Sequence, residues 1–293
     1  MSAVTTLPVD VLSERRRTTL WGRLRSTGVG GMASAAVIAL ATFVAFFGNL
    51  IAPSSPDAIN LTAVWGGPSL AHPLGFDVEG RDVLARLFSG ASSSMLGPLI
   101  VVAICIVAGT SIAVFAAWRG GALDTFISSG LDIVFAFPGI LLAILATAVF
   151  GPGLNAAALA LAIAYTPYVA RVLRGAAISE RSREYIAALR VQGVSSTRIC
   201  LLHIVPNIAP LIIAQATILF GYAMVTLAAI SYLGLGVQPP APNWGVTVSV
   251  NQQGILAGSA LPALASGLCI VVVVIAFNVL GERLLETASG GRR

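Results

Sequence analysis

Residues 133–170 read IVFAFPGILLAILATAVFGPGLNAAALALAIAYTPYVA, 38 positions without a charge. A helix crossing a bilayer needs about 20 predominantly apolar residues. This run therefore has room for two, and Gly151-Pro152-Gly153 at its middle supplies the turn between them. Reading it as a hairpin rather than one long span decides the parity of the whole chain. Outward from it, residues 87–118 make a charge-free run of 32 and residues 26–56 one of 31, each with room for a single span. Residues 199–281 run for 83 positions without a charge and are interrupted by Gln238-Pro239-Pro240-Ala241-Pro242-Asn243-Trp244, so they hold two more. The sequence predicts an all-α polytopic membrane protein with six transmembrane helices, near 32–52, 93–117, 131–150, 154–170, 204–231 and 258–280.

Composition supports the same class. Charged residues are 10% of the 293, against about 25% in an ordinary globular protein. The mean hydropathy is +0.91, and a soluble fold cannot cover its surface with so few charges. All 17 basic residues are arginine. With six spans both termini share a side, and the arginines then divide 15 to 2 between the two faces. Excess arginine marks the cytoplasmic side. This places a tail over 1–31, a loop over 171–203 and a tail over 286–293 inside, with loops over 53–92 and 232–257 outside. The pI near 9.6 follows from that bias and does not call for a nucleic-acid partner. The basic residues Arg15, Arg16, Arg17, Arg23 and Arg25 precede an apolar run from Met32 to Ala52, longer than the 7–15 or so residues of a signal-peptide core. An uncleaved first span is the expectation, preceded by a disordered tail.

The chain offers little for covalent chemistry. It has two histidines, His72 and His203, three cysteines without a CxxC pair, no HExxH and no GxSxG. His72, Asp77, Glu79 and Asp82 lack regular metal-ligand spacing. Asp132, near the cytoplasmic end of the third span, reads as an interfacial carboxylate rather than a buried proton or cation site. Midplane carboxylates that would couple transport to an ion gradient are missing, as is a Walker A lysine. The expectation is a non-enzyme whose energy comes from another chain.

One polar stretch stands out: Ser179–Pro206, SERSREYIAALRVQGVSSTRICLLHIVP. Tyr185, Ala188, Leu189 and Gln192 recur at three- and four-residue steps, as do Ile186 and Arg190, which predicts a short amphipathic helix over 183–191. Gly193 stands where a left-handed C′ residue would end it, and Ser195 or Ser196 can cap a second helix. The product is a helix–turn–helix elbow facing the cytoplasm.

This elbow resembles the "EAA" loop of ABC importer permeases, in which a proline follows the glycine by thirteen positions, as Pro206 follows Gly193. It is closest to the dipeptide, oligopeptide and nickel permease branch. The branch pattern E-Y-x-x-A-A-R-x-x-G matches Glu184 to Gly193 with Leu189 departing. R-H-I-L-P-N matches Leu202 to Asn207 with Leu202 and Val205 departing. The generic family glutamate falls on Ala187. H-P-L-G-T-D-x-x-G-R-D-x-x-S-R is similar to His72 to Arg86, with Phe76 and Ala85 departing, and G-L-G-x-Q-P-P-x-P-x-W-G to Gly234 through Gly245. The chain is identified as a member of that family, its second (C-type) permease subunit, over about 32–285.

The resemblance implies a type I ABC importer fold and a bacterial inner-membrane location. It implies a homologous second permease, two ATP-binding subunits that carry ATP and magnesium, and an extracytoplasmic substrate-binding protein, with no cofactor in this chain. Glu184, Tyr185, Ala187, Ala188, Arg190, Gly193, Ser195 and Pro206 are the expected ATPase-coupling residues. Asp77, Arg81, Asp82, Arg86, Gln238 and Trp244 are expected to help the binding protein dock. Competing readings are a surface helix pair for Asp82 and Arg86, gating kinks at Pro138 and Pro167, a packing role for His203, and an outer aromatic belt for Trp244 and Tyr232. The expected cargo is a di- or oligopeptide, with nickel or another small solute as the alternative. A stand-alone carrier or channel, or a membrane scaffold, would leave the elbow without a purpose.

Overall fold

The structure, a computed structural model, describes residues 28–290, with side chains through residue 286. The tail expected over 1–31 lies outside the described residues up to position 27, and so do residues 291–293. Among the described residues the chain is helical without a strand. Helix α1 spans Gly28–Ile51, α2 Val83–Arg119, α3 Gly121–Phe135, α4 Gly139–Phe150 and α5 Leu154–Arg181. The short α6 (Glu184–Val191) and α7 (Ser196–Ile199) follow, then a π turn over Cys200–Ile204 that runs into α8 (Val205–Tyr232). Helices α9 (Trp244–Leu256) and α10 (Leu261–Gly290) complete the order.

Five of these helices are long and apolar enough to cross a bilayer; α3 and α4, bent by 73° at the break between them, bring the number to six where the pair is counted as one span. The break falls at Pro138, which has no N–H to continue an α ladder and sits in an extended conformation. The third span therefore begins at Gly121, ten residues before the predicted 131, and is a broken rod. Amphipathic α3 carries Asp124 and Asp132, which bond to Arg174 and Arg171 of α5. Those two carboxylates hid its first turns from a search for charge-free runs. Asp132 is exposed and paired, as an interfacial carboxylate would be. Gly151, with φ +91°, and Gly153 make the turn into α5. Pro167 lies inside α5 without breaking it.

The core lies where α2, α5 and α8 pack together, with α10 closing one side. Lipid tails do not drive apolar helices together, so close approach depends on small residues. Helix α5 buries Ala157, Ala158, Ala160, Ala162, Ala164, Ala170 and Ala177. A Cβ on Gly109 of α2 would stand 2.8 Å from the Val169 side chain and 3.2 Å from the backbone nitrogen of Ala170. Any larger residue at Gly109 would push α2 off α5.

On the side expected to be external, α2 starts at Val83 rather than near 93, because Asp82 caps it by accepting from the N–H of Ala85 at 2.9 Å. At 37 residues, α2 is about 55 Å long, well beyond an apolar bilayer core of about 30 Å. Its first turns rise into a cap formed by residues 52–82 and by α9, a helix that the sequence reading had left inside a loop.

Candidate functional site

The elbow forms as predicted. Helix α6 runs from Glu184 to Val191, with Arg183 at its N-cap and Glu184 in the first turn, where a carboxylate suits the helix dipole. At its end the N–H of Gly193 donates to the Arg190 carbonyl at 3.0 Å and that of Val194 to the Leu189 carbonyl at 3.1 Å. This pair of bonds is the Schellman motif, and it requires the left-handed φ of +76° found at Gly193. Ser195 occupies the N-cap of α7 without a side-chain bond, so this cap rests on backbone geometry alone. Pro206 stands at the start of α8, just beyond the π turn.

Two faces of α6 are used differently. Ile186 is fully buried, and with Tyr185, Leu189, Val194, Ile199 and Ile204 it packs against Val114, Ala117 and Ala177 at the ends of α2 and α5. The elbow is thus seated on its own small apolar core, separate from that of the spans. Of the periodic set Tyr185, Ala188, Leu189 and Gln192, Ala188 and Gln192 are exposed. The outward face is Glu184, Ala187, Ala188 and Val191, at steps of three, one and three residues. These positions fall on one stripe of a helix. Val191 is 90% exposed, an apolar residue left uncovered among the described residues.

A buried polar knot locks the elbow's root. Glu180, 3% exposed at the end of α5, accepts from the Tyr185 hydroxyl at 2.7 Å and from the Asn207 side-chain amide at 2.8 Å, and pairs with Arg183 at 2.9 Å. Asn207 also donates to the Tyr185 oxygen at 2.8 Å. Three elements, α5, α6 and α8, meet in one carboxylate. Burial, and then the bond to Glu180, push the Tyr185 phenol above its ordinary value. Glu180 and Asn207 escaped the sequence reading as a site because the bond that joins them spans 27 positions. Arg183 three residues and Tyr185 five residues downstream were the local hints. His203 sits 6.4 Å from the Tyr185 ring, a packing position.

The expected external docking charges are inside the cap. Asp77, Arg81, Asp82 and Arg86 are 0, 7, 3 and 1% exposed, so a partner cannot reach them directly. Asp77 accepts from the backbone N–H groups of Glu79 and Arg81 at 2.9 and 2.8 Å. Arg86 donates to the carbonyls of Pro56 and Pro240 at 3.2 and 3.3 Å and lies 3.6 and 3.7 Å from the carboxylates of Asp57 and Asp77. It ties three loops together. The surface pair expected between Asp82 and Arg86 does not form; Asp82 is engaged by the helix cap and by His72. Arg81 pairs with Glu79. Trp244 is buried, its indole N–H donating to the Leu87 carbonyl at 2.9 Å, and so is no belt residue. Tyr232 is exposed and donates to Gln252. Of the six docking candidates only Gln238 is exposed, its amide donating to the carbonyls of Gly234 and Gly236. Among the described residues no three histidine, cysteine or acidic side chains converge as metal ligands.

Helices apolar enough to cross a bilayer, an elbow with one exposed helix stripe and a cap at the opposite end suit a membrane transport subunit. Residues 106–286 match the family described as "Binding-protein-dependent transport system inner membrane component", and the chain belongs to it. It is similar to the dipeptide transport system permease protein DppC of Escherichia coli (strain K12), 39% identical over 265 residues that cover 88% of this chain and 87% of that one. The protein of the same name from Alkalihalophilus pseudofirmus is 38% identical over 83% of this chain and 80% of its own length. The glutathione transport system permease protein GsiD of Escherichia coli O6:K15:H31 is 34% identical over 91% and 88%.

Proposed function

We propose that this chain is one permease subunit of an ATP-driven importer, forming half of a translocation path for di- or oligopeptides. The observation that carries the reading is the exposed stripe of Glu184, Ala187, Ala188 and Val191 on a helix whose other face is anchored to the span ends. Small side chains let another protein's surface approach closely, and the buried knot at Glu180 keeps the stripe at a fixed angle to α5 and α8. A push on α6 is then delivered to those spans rather than absorbed in the loop. Two partner ATPase chains hold ATP and magnesium and supply that push, acting through Glu184, Tyr185, Ala187, Ala188, Arg190, Gly193, Ser195 and Pro206. A homologous second permease completes the path, with helices of residues 93–280 lining this half. A binding protein outside meets the cap at exposed positions such as Gln238, while Asp77, Arg81, Asp82, Arg86 and Trp244 hold the cap's shape for it. Both termini lie in the cytoplasm of a bacterial cell. Peptide cargo is supported by the names of the relatives at 38 and 39% identity.

The test is reconstitution of the chain in proteoliposomes with a second permease, the ATPases and a binding protein of the same system. ATP-dependent uptake of a labelled dipeptide, competed by unlabelled dipeptide and not by nickel, is the expected result. Uptake of nickel alone would reassign the cargo. Gradient-driven flux by this chain without partners would make it a carrier.

A further inference from the structure

Beside the elbow an apolar groove of about 670 Å³ runs between the last half of α2 and the stretch from α7 into α8, with Val107, Phe115, Leu201 and Val205 among its walls. From Ile106 to Trp118 it follows α2 for about 18 Å. At Trp118 and Ser196 it adjoins a second, polar recess of about 330 Å³, walled also by Arg181, Arg190 and Val194. Volumes of about 300–1,000 Å³ are typical of sites that enclose a small organic ligand.

The charges around the mouth are one-sided. The Arg190 guanidinium lies 4.3 Å over the Trp118 ring and that of Arg119 5.4 Å over Phe115, while Arg181 donates to the Ala117 carbonyl at 2.6 Å. No ion pair among the described residues engages any of the three, whereas Arg81, Arg86, Arg171, Arg174 and Arg183 each stand beside a carboxylate. Arg190 also leaves α6 from a different side than the exposed stripe, so this recess and the stripe are separate surfaces. Asp124, bonded to Arg174, acts on Arg181 at longer range. A long apolar trough ending in three cations without an ion-pair partner among the described residues selects a ligand that is apolar along its length and anionic at one end.

We propose that this groove seats an anionic phospholipid of the cytoplasmic leaflet, an acyl chain lying along α2 and the phosphate held between Arg119 and Arg181. Trp118 stands at the headgroup level, where indole rings favour the membrane interface. The lipid would fill the flank of the elbow and support α7 against the end of α2. The proposal rests on the cytoplasmic placement of the elbow and not on the cargo.

The experiment uses the full chain, delipidated in detergent and titrated with phosphatidylglycerol or phosphatidylcholine of matched acyl chains, with bound lipid counted by native mass spectrometry. Phosphatidylglycerol should be retained in preference. Arg119→Gln and Arg181→Gln should each weaken it about fivefold, the worth of one arginine near an anionic surface, and leave phosphatidylcholine unchanged. Arg119→Gln removes no hydrogen bond seen here, so it keeps the test valid if Arg181→Gln unfolds. Ser111→Trp, which fills the groove, should weaken both lipids. Equal affinity for the two lipids, indifference to Arg119→Gln, or displacement by inorganic phosphate alone would overturn the proposal. In the assembled importer a photo-crosslinker at Leu201 should capture lipid; capture of the second permease or an ATPase chain would make the groove a subunit interface instead. Binding is read without transport, so its failure is separate from failure of the importer reading.

Discussion

Replacing Gly193 isolates the elbow's geometry from everything around it. A Cβ built at Gly193 meets nothing within 4 Å, so within this chain the cost of a side chain is conformational and not steric. Holding an L-residue at φ +76° costs roughly 1–2 kcal/mol, and a β-branched residue lies at the top of that range. The alternative is to release the bonds from Gly193 and Val194 to the end of α6, each worth about 0.5–1.5 kcal/mol. Either way Gly193→Val shifts the elbow by about 1–2 kcal/mol toward conformations in which α6 and α7 lose their angle, a factor of roughly 5–30. Asparagine tolerates the left-handed region far better, so Gly193→Asn should lose much less. The assay is co-purification of each variant with the ATPase subunits, followed by substrate-stimulated ATP hydrolysis in the reconstituted complex. Valine should fail, alanine fall between, and asparagine stay near wild type, with membrane insertion intact in all three. Wild-type transport by Gly193→Val would refute the mechanical role of the turn. Equal losses for valine and asparagine would show that a partner's surface, not the backbone, demands glycine there.

Glu180→Ala leaves the Tyr185 hydroxyl and the Asn207 amide without their shared acceptor in a buried site; we expect a loss of about 3 kcal/mol in detergent unfolding, against about 1 for Glu180→Gln, and equal midpoints would remove the knot from the argument. Arg86→Glu buries a charge beside Asp77 and should abolish folded protein, seen as aggregation on size exclusion; a monodisperse variant that only fails to meet the binding protein would mean that Arg86 is reachable from outside after all. A cysteine at Ser55 should react with an impermeant maleimide on intact cells, and one at Ser182 only after permeabilisation; free labelling of Ser182 would invert the orientation.

Much of the fold is written in where charges are missing, because a bilayer tolerates few. That rule also marks where the reading stopped short. Arg86 bounded the charge-free run at 87, yet its charge is met inside the cap by Asp77 and Asp57, 9 and 29 positions away by number. Asp124 and Asp132 hid the first turns of the broken span by the same logic, since their arginines lie on α5. Helix α9 was lost for the opposite reason: residues 244–256 carry no charge and only a weak apolar face, so neither signal rises above a loop. The elbow was legible because its cues are local, a short periodic run ended by glycine. Glu180 was not, because a carboxylate among serines and arginines looks solvated until the fold brings α8 against it.

The π turn at Cys200–Ile204 separates two registers. Pro206 has no N–H for the Leu202 carbonyl and its ring presses on it; the wider turn just before absorbs the conflict, with the N–H of Val205 reaching back to the Cys200 carbonyl. One surplus residue rotates everything beyond it by about 100° and advances it by about 1.5 Å. The faces that α8 turns toward its neighbours are therefore out of phase with those of α7. Deleting one residue from Leu201–Leu202 would remove the surplus and swing the elbow by about 100° relative to α8, leaving Pro206 in conflict with the carbonyl four residues before it. The turn works as a phase shifter, letting the membrane-embedded face of α8 and the seating face of the elbow vary in sequence without each dictating the orientation of the other.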